Sequence, residues 1–138
     1  MKHGGLAITT LAIASIALTG CTSDDTLATA CEENTDITLE ITGLMGDVGA
    51  VDAGAEIAGA RLGELADELR DITGPAEFKQ LNDEMADIIS GFGNVYIDAG
   101  KAVAAKDTDG MTEAADSMGD LRARFAVLSP KLIEACGG

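Results

Sequence analysis

Phe78, Leu81, Met85, Ile88, Phe92, Val95, Ala99 and Val103 follow one another at intervals of three or four residues, the spacing that sets side chains along one face of an α-helix. The stripe predicts a helix from Pro75 to about Lys106, with Gly91 and Gly93 weakening its middle. A helix of roughly 30 residues with one apolar face has to bury that face against other elements. The rest of the chain offers helices for the purpose.

Upstream, Leu62, Leu65, Leu69 and Ile72 mark a helix ending near Thr73, where Gly74-Pro75 stops one helix and opens the next. Downstream, Asp107-Thr108-Asp109-Gly110 makes a turn, and Met111, Ala114, Met118, Leu121, Phe125, Leu128 and Leu132 line a further helix. Ser129-Pro130 should kink or restart it, with Ser as the cap and Pro at the first helical position. One segment reads two ways. Asp36 to Thr42 alternates polar and apolar as a half-buried strand does, but the other β-rich group, Val95-Tyr96-Ile97, lies inside the long helical stripe, so a strand there lacks a partner. At helical spacing Ile37, Ile41, Leu44, Val48 and Val51 share a face in phase with Cys31, and helix is the favoured reading. Glycines 43, 46, 49 and 54, with Asp47 and Asp52 as N-cap residues, place a break between roughly 47 and 54.

The N-terminus opens Met1-Lys2-His3-Gly4-Gly5 and continues as an apolar run from Leu6 to Leu18, interrupted by Thr9, Thr10 and Ser15. Its 13 residues suit a signal-peptide core and fall short of the roughly 20 that cross a bilayer. The run ends in Leu18-Thr19-Gly20-Cys21, which resembles the lipobox of bacterial lipoproteins. The resemblance implies a diacylglyceryl group on the Cys21 thiol, cleavage between Gly20 and Cys21, and acylation of the new amino group. It also implies a place at the cell membrane, anchored on the extracytoplasmic face. Each buried methylene of an acyl chain contributes about 0.8 kcal/mol, and two or more chains hold stably. Residues 1–20 are then the discarded signal peptide. Thr22 to Thr29, polar and without a hydrophobic period, read as part of a 21–30 tether of at most about 29 Å over its eight residues, and residues 31–138 form the domain.

Cleavage leaves 118 of 138 residues, enough for one domain with a core. It removes the sole histidine, His3, and with it the base of a Ser-His or Cys-His pair and an imidazole zinc ligand. Losing Lys2 as well leaves 8 basic against 24 acidic side chains, a side-chain charge of −16. That charge argues against nucleic acid, whose phosphates are met by Lys and Arg. It also argues against anionic lipid as the attachment, which falls to the acyl chains. The acidity suits a solvated surface, or one that recruits an envelope protein with a basic face.

With Cys21 assigned to lipid, Cys31 and Cys136 remain in an oxidising compartment, and a disulfide between them is expected. Their spacing lacks the CxxC pattern of a catalytic thiol pair. A bridge requires Cα atoms within roughly 7 Å. One unbroken helix over residues 31–73 would run about 64 Å, beyond its partners. A break near Gly49 instead yields an all-α fold: an antiparallel four-helix bundle, up-down-up-down, closed by one disulfide at the end where the first helix starts and the fourth stops.

Motifs that could carry chemistry have plainer explanations. Asp107, Asp109 and Gly110 match positions 3, 5 and 6 of a calcium loop, but Ala105 and Asp116 stand at positions 1 and 12, so the residues read as a capped connector. Gly59 and Gly63 form GxxxG, yet Arg61 and Glu64 rule out a lipid-buried segment, leaving close contact within the bundle. Met45, Met85, Met111 and Met118 fill space at core positions. Pairs such as Asp67-Glu68 and Asp83-Glu84 are too many to single out an acid. The reading is no enzyme, no metal and no cofactor. The favoured function is a non-catalytic interaction or structural module, and the alternative is a carrier of a small apolar ligand within the bundle. Richness in Gly, Ala and Asp, with cysteines flanking the bundle, resembles small helical lipoproteins of actinobacteria and their phages; that resemblance implies superinfection exclusion as a further alternative.

Overall fold

The computed structural model describes the backbone of residues 21–47 and 54–138, with side chains from 26 to 46 and from 54 onward. The expected signal segment with Gly20, the Cys21 side chain, Val48, Val51 and the core of the expected break lie outside the described residues. Four helices follow in order, α1 (Cys21–Asp47), α2 (Ala55–Asp71), α3 (Ala76–Ala105) and α4 (Thr108–Ala135), with no strand among the described residues.

Residues 36–42 are helical. Thr42 Oγ1 donates to the Thr38 carbonyl and Thr35 Oγ1 to the Cys31 carbonyl, each at 2.8 Å, so the helix backbone takes up the hydroxyls that give this stretch its strand-like polarity. The helix also reaches further back than the apolar stripe. Residues 22–29, expected as an extended tether, belong to α1. Leu27 packs against the core and Ala30 is buried, extending the face of Cys31 by one turn. Adding residues to an existing helix avoids the cost of nucleation. Eight helical residues span about 12 Å, less than half the extended reach.

The core is centred on α2 and α3. Leu62, Leu65, Leu69, Phe78, Ile88 and Phe92 are almost wholly enclosed. Small residues bring the two helices together: Gly59 lies against Gly93 and Ile97, and Gly100 against Ala55 and Glu56. The GxxxG pair divides in its roles, because a β-carbon on Gly63 would meet open space.

The α3 to α4 corner takes two residues. Lys106 is left-handed (φ 57°) and Asp107 N–H reaches back to the Ala102 carbonyl at 2.9 Å, closing α3. The Asp107 carboxylate then accepts from Gly110 N–H at 3.0 Å, opening α4. The capped connector read from the sequence is therefore present. Of the kink or restart expected at Ser129-Pro130, the restart is absent, and α4 continues through Pro130. Proline deprives the Ala126 carbonyl of its intrahelical donor, but Ala126 and Pro130 are both exposed, so water can serve that carbonyl.

Candidate functional site

Two features, one polar and one covalent, fasten α1 to the rest of the molecule. Asn34 Nδ2 donates to Asn82 Oδ1 at 2.8 Å, and Asn82 Nδ2 in turn donates to the Leu69 carbonyl, linking α1, α3 and α2 through buried amides. Both asparagines stand on apolar stripes, Asn34 one turn after Cys31 and Asn82 one turn after Phe78. That position is the sequence signal that could have disclosed them. The second feature is the disulfide. Cys31 and Cys136 are bonded, with Cα atoms 5.9 Å apart, so the two cysteines assigned to the fold do meet.

Ion pairs reinforce the same half of the molecule. Arg61 reaches Glu40 of α1 at 2.7 Å and Glu64 and Glu68 of its own helix at 3.0 and 2.9 Å. These carboxylates accept its hydrogen bonds, Glu40 foremost, and raise the guanidinium pKa. Arg70 bonds Asp67 and Asp87, each at 2.8 Å, and its pKa is raised chiefly by the bond to Asp87. Lys79 holds Asp83 and the Arg70 carbonyl.

Away from the bridge, α1 and α4 stand apart. The closely packed pairs are α2 with α3, α3 with α4 and, less extensively, α1 with α2. The gap between α1 and α4 is an apolar cleft floored by α3. Ile41 and Met45 of α1, Ile89 and Phe92 of α3, and Phe125 of α4 line a cavity of about 480 Å³. A second cavity of about 350 Å³ adjoins it toward the disulfide, sharing Thr38, Met85 and Phe125. Leu39 (66% exposed) and Ile133 (58%) stand on the rim of that second cavity. The cleft explains why α1 and α4 bury few residues completely. Their stripe residues, among them Ile37, Leu44, Met118, Leu121 and Phe125, are only half-buried.

Arg122 lines the larger cavity and is the one charged side chain there among the described residues. The helical periodicity disclosed the stripe that carries Phe125 but gave no sign of the cleft or of the role of Arg122. A third concavity, of about 350 Å³, lies between α3 and α4 and is lined by Asp98, Lys101, Asp107 and Glu113 with small residues. It is polar, and no cluster of three metal-ligating side chains exists among the described residues. No described helix is long and apolar enough to cross a membrane. Comparison with known protein families, curated proteins and solved structures finds no match for the chain.

Proposed function

We propose that the chain is a non-catalytic carrier module, held at the extracytoplasmic face of a cell membrane by acyl chains on Cys21, that binds an apolar ligand in the cleft between α1 and α4. The cleft is the observation that carries this reading: about 480 Å³ of concavity whose lining is mainly apolar, with Ile41, Met45, Met85, Ile89, Phe92 and Phe125 beside two threonines and Arg122, within the size range of small-molecule sites. Stable folding would favour closing such a gap. Leaving Met45 and Phe125 only half-buried over a floor of Ile89 and Phe92 is reasonable where a ligand fills the gap.

The four helices are read as antiparallel, up-down-up-down. Supporting this are the pairings of Ala55 with Gly100, Gly59 with Gly93 and Asn82 with Leu69, together with Gly91 against Leu121 and Ala102 against Gly110. In each ladder one residue number rises as its partner's falls. That order brings the start of the domain and its end to the disulfide, beside the expected anchor. The cleft supports the carrier reading over docking on a basic envelope protein, because an apolar concavity selects apolar matter whereas surface carboxylates select only charge.

Native mass spectrometry of the chain extracted from its producing membranes tests both parts. The expected species lacks residues 1–20, carries acyl mass on Cys21 and retains an apolar small molecule. An unmodified Cys21 thiol in the membrane fraction would overturn the anchor. A ligand-free mass, with no uptake of a hydrophobic dye, would overturn the carrier.

A further inference from the structure

We infer that the ligand of the cleft is a single-chain amphiphile with an anionic head, its acyl chain lying along α3 and its head meeting the Arg122 guanidinium. This rests on the carrier reading and adds the ligand's chemistry.

Shape selects a chain. The two cavities adjoin through Thr38, Met85 and Phe125, making an elongated concavity that runs from Met45 toward Cys136. Met45 and Met85 let its walls adapt to chain length. Of the polar side chains on the walls, Asn34, Thr35 and Thr42 already donate to partners within the chain. An extended alkyl chain matches such a surface, because it needs apolar contact along its length and polar contact at one end.

Charge selects the head. Among the described residues Arg61, Arg70 and Lys79 stand against one or more carboxylates, while Lys101, Lys106, Arg122, Arg124 and Lys131 make no ion pair; of these five, Arg122 is the one that lines the larger cavity. Arg122 makes no ion pair among the described residues, and its own helix explains why. Met118 and Gly119 lie four and three residues before it, Phe125 and Ala126 three and four after it, so no carboxylate occupies a position that reaches it along α4. A guanidinium at the mouth of an apolar cleft, with no carboxylate partner among the described residues, is suited to a carboxylate or phosphate from outside, which it can grip with two parallel N–H donors. The exposure of Arg122 keeps a charged head in water while the chain is enclosed. A second copy of this chain fits poorly, since each copy carries a large excess of negative charge into the contact.

The test is competition. The chain as purified from its membranes is mixed with equal amounts of palmitate, hexadecyl phosphate, hexadecanol and hexadecyltrimethylammonium, and bound species are counted by native mass spectrometry. Palmitate and hexadecyl phosphate should each bind about tenfold or more tighter than hexadecanol, the margin expected of a charge-assisted hydrogen bond, and the cationic amphiphile weakest. The tighter of the two anions distinguishes a carboxylate head from a phosphate one. Arg122→Gln should bring both anions to the level of hexadecanol and leave hexadecanol unchanged, while Met45→Trp, which fills the cavity, should reduce all four without lowering the melting temperature. Equal binding of palmitate and hexadecanol, with Arg122→Gln silent, would overturn the head assignment and leave the carrier reading standing. Binding of none, or of an apolar helical peptide in their place, would overturn both.

Discussion

Gly59 and Gly93 face each other across the α2 and α3 interface so closely that a β-carbon on Gly59 would stand 2.5 Å from the Gly93 carbonyl oxygen, and one on Gly93 would stand 2.6 Å from the Gly59 carbonyl oxygen. The obstacle in both cases is backbone, which cannot swing aside as a side chain can. This reciprocal contact sets how near the two central helices come, and hence how tightly Leu62, Leu65 and Phe92 pack beside it.

Alanine at either position should therefore force α2 and α3 apart. Gly59→Ala and Gly93→Ala should each lower unfolding free energy by about 1–3 kcal/mol, the usual cost of overpacking. Gly63→Ala is the control. Its β-carbon would meet nothing within 4 Å, and removing a mid-helix glycine should stabilise by up to about 1 kcal/mol. Urea denaturation midpoints decide between the two outcomes.

The buried Asn34 and Asn82 pair should be costly to break from one side. Asn82→Ala strands the Asn34 amide without its acceptor, a loss of about 1–3 kcal/mol. The double variant Asn34→Ala with Asn82→Ala should lose less than the two single losses added. Asn82→Asp adds a pH signature. A carboxylate there would be buried against the Leu69 carbonyl, so its folded-state pKa rises above the unfolded value of about 3.9. Relative to the parent chain, stability of that variant should increase as pH falls through the folded pKa and level off below the unfolded one. An unchanged difference across that window would show that the group at position 82 reaches water.

Loss of the disulfide should act on α1 before it acts on the core. The bridge spans 105 residues of sequence, and in the chain-entropy model a loop of that size is stabilised by up to about 4.7 kcal/mol. It is also the tie between α1 and α4 across the cleft. Under reductant, or in Cys136→Ala, amide exchange should quicken first in α1 and along the C-terminal turn of α4, and later in α2 and α3. Uniform quickening would mean that α1 is held by its other contacts. Without reductant, alkylating agents should label neither Cys31 nor Cys136.

Arg61→Ala should be destabilising in a way that salt removes. Taking the guanidinium away leaves Glu40, Glu64 and Glu68 converging on one another with no cation between them. The group is solvent-accessible, so the effect belongs to screened electrostatics. The melting temperature should fall at low ionic strength, and the difference from the parent should shrink toward 1 M salt, where the screening length is about 3 Å. Arg61→Lys should restore only part of it, since an ammonium lacks the planar fork that serves several carboxylates at once.

Much of the architecture is legible in the order of residues, because apolar spacing and turn chemistry are local. The stripe from Phe78 to Val103 locates α3 to within a residue at each end, Gly74-Pro75 separates it from α2, and Asp107 both ends the corner and caps α4. With Cys21 set aside on its resemblance to a lipobox cysteine, the expected pairing of Cys31 with Cys136 is the one present. Local signals failed where the outcome depended on what lay across space. Thr22 to Thr29 lack a stripe, yet Leu27 finds the core and the helix extends over them. Pro130 carries a strong break signal, yet exposure of Ala126 to water lets the helix pass through it.

By itself, then, the sequence determined which segments are helical, which faces are apolar and which cysteines pair. Only the tertiary structure decided how those faces are used. Periodicity marks Ile41, Met45 and Phe125 as apolar but contains no measure of the distance between α1 and α4, because neither helix sets it alone. It follows from the glycine contact that draws α2 onto α3, the asparagine pair that seats α1, and the single covalent tie at one end. The cleft, and an arginine at its mouth with no ion-pair partner among the described residues, are consequences of that three-dimensional arrangement.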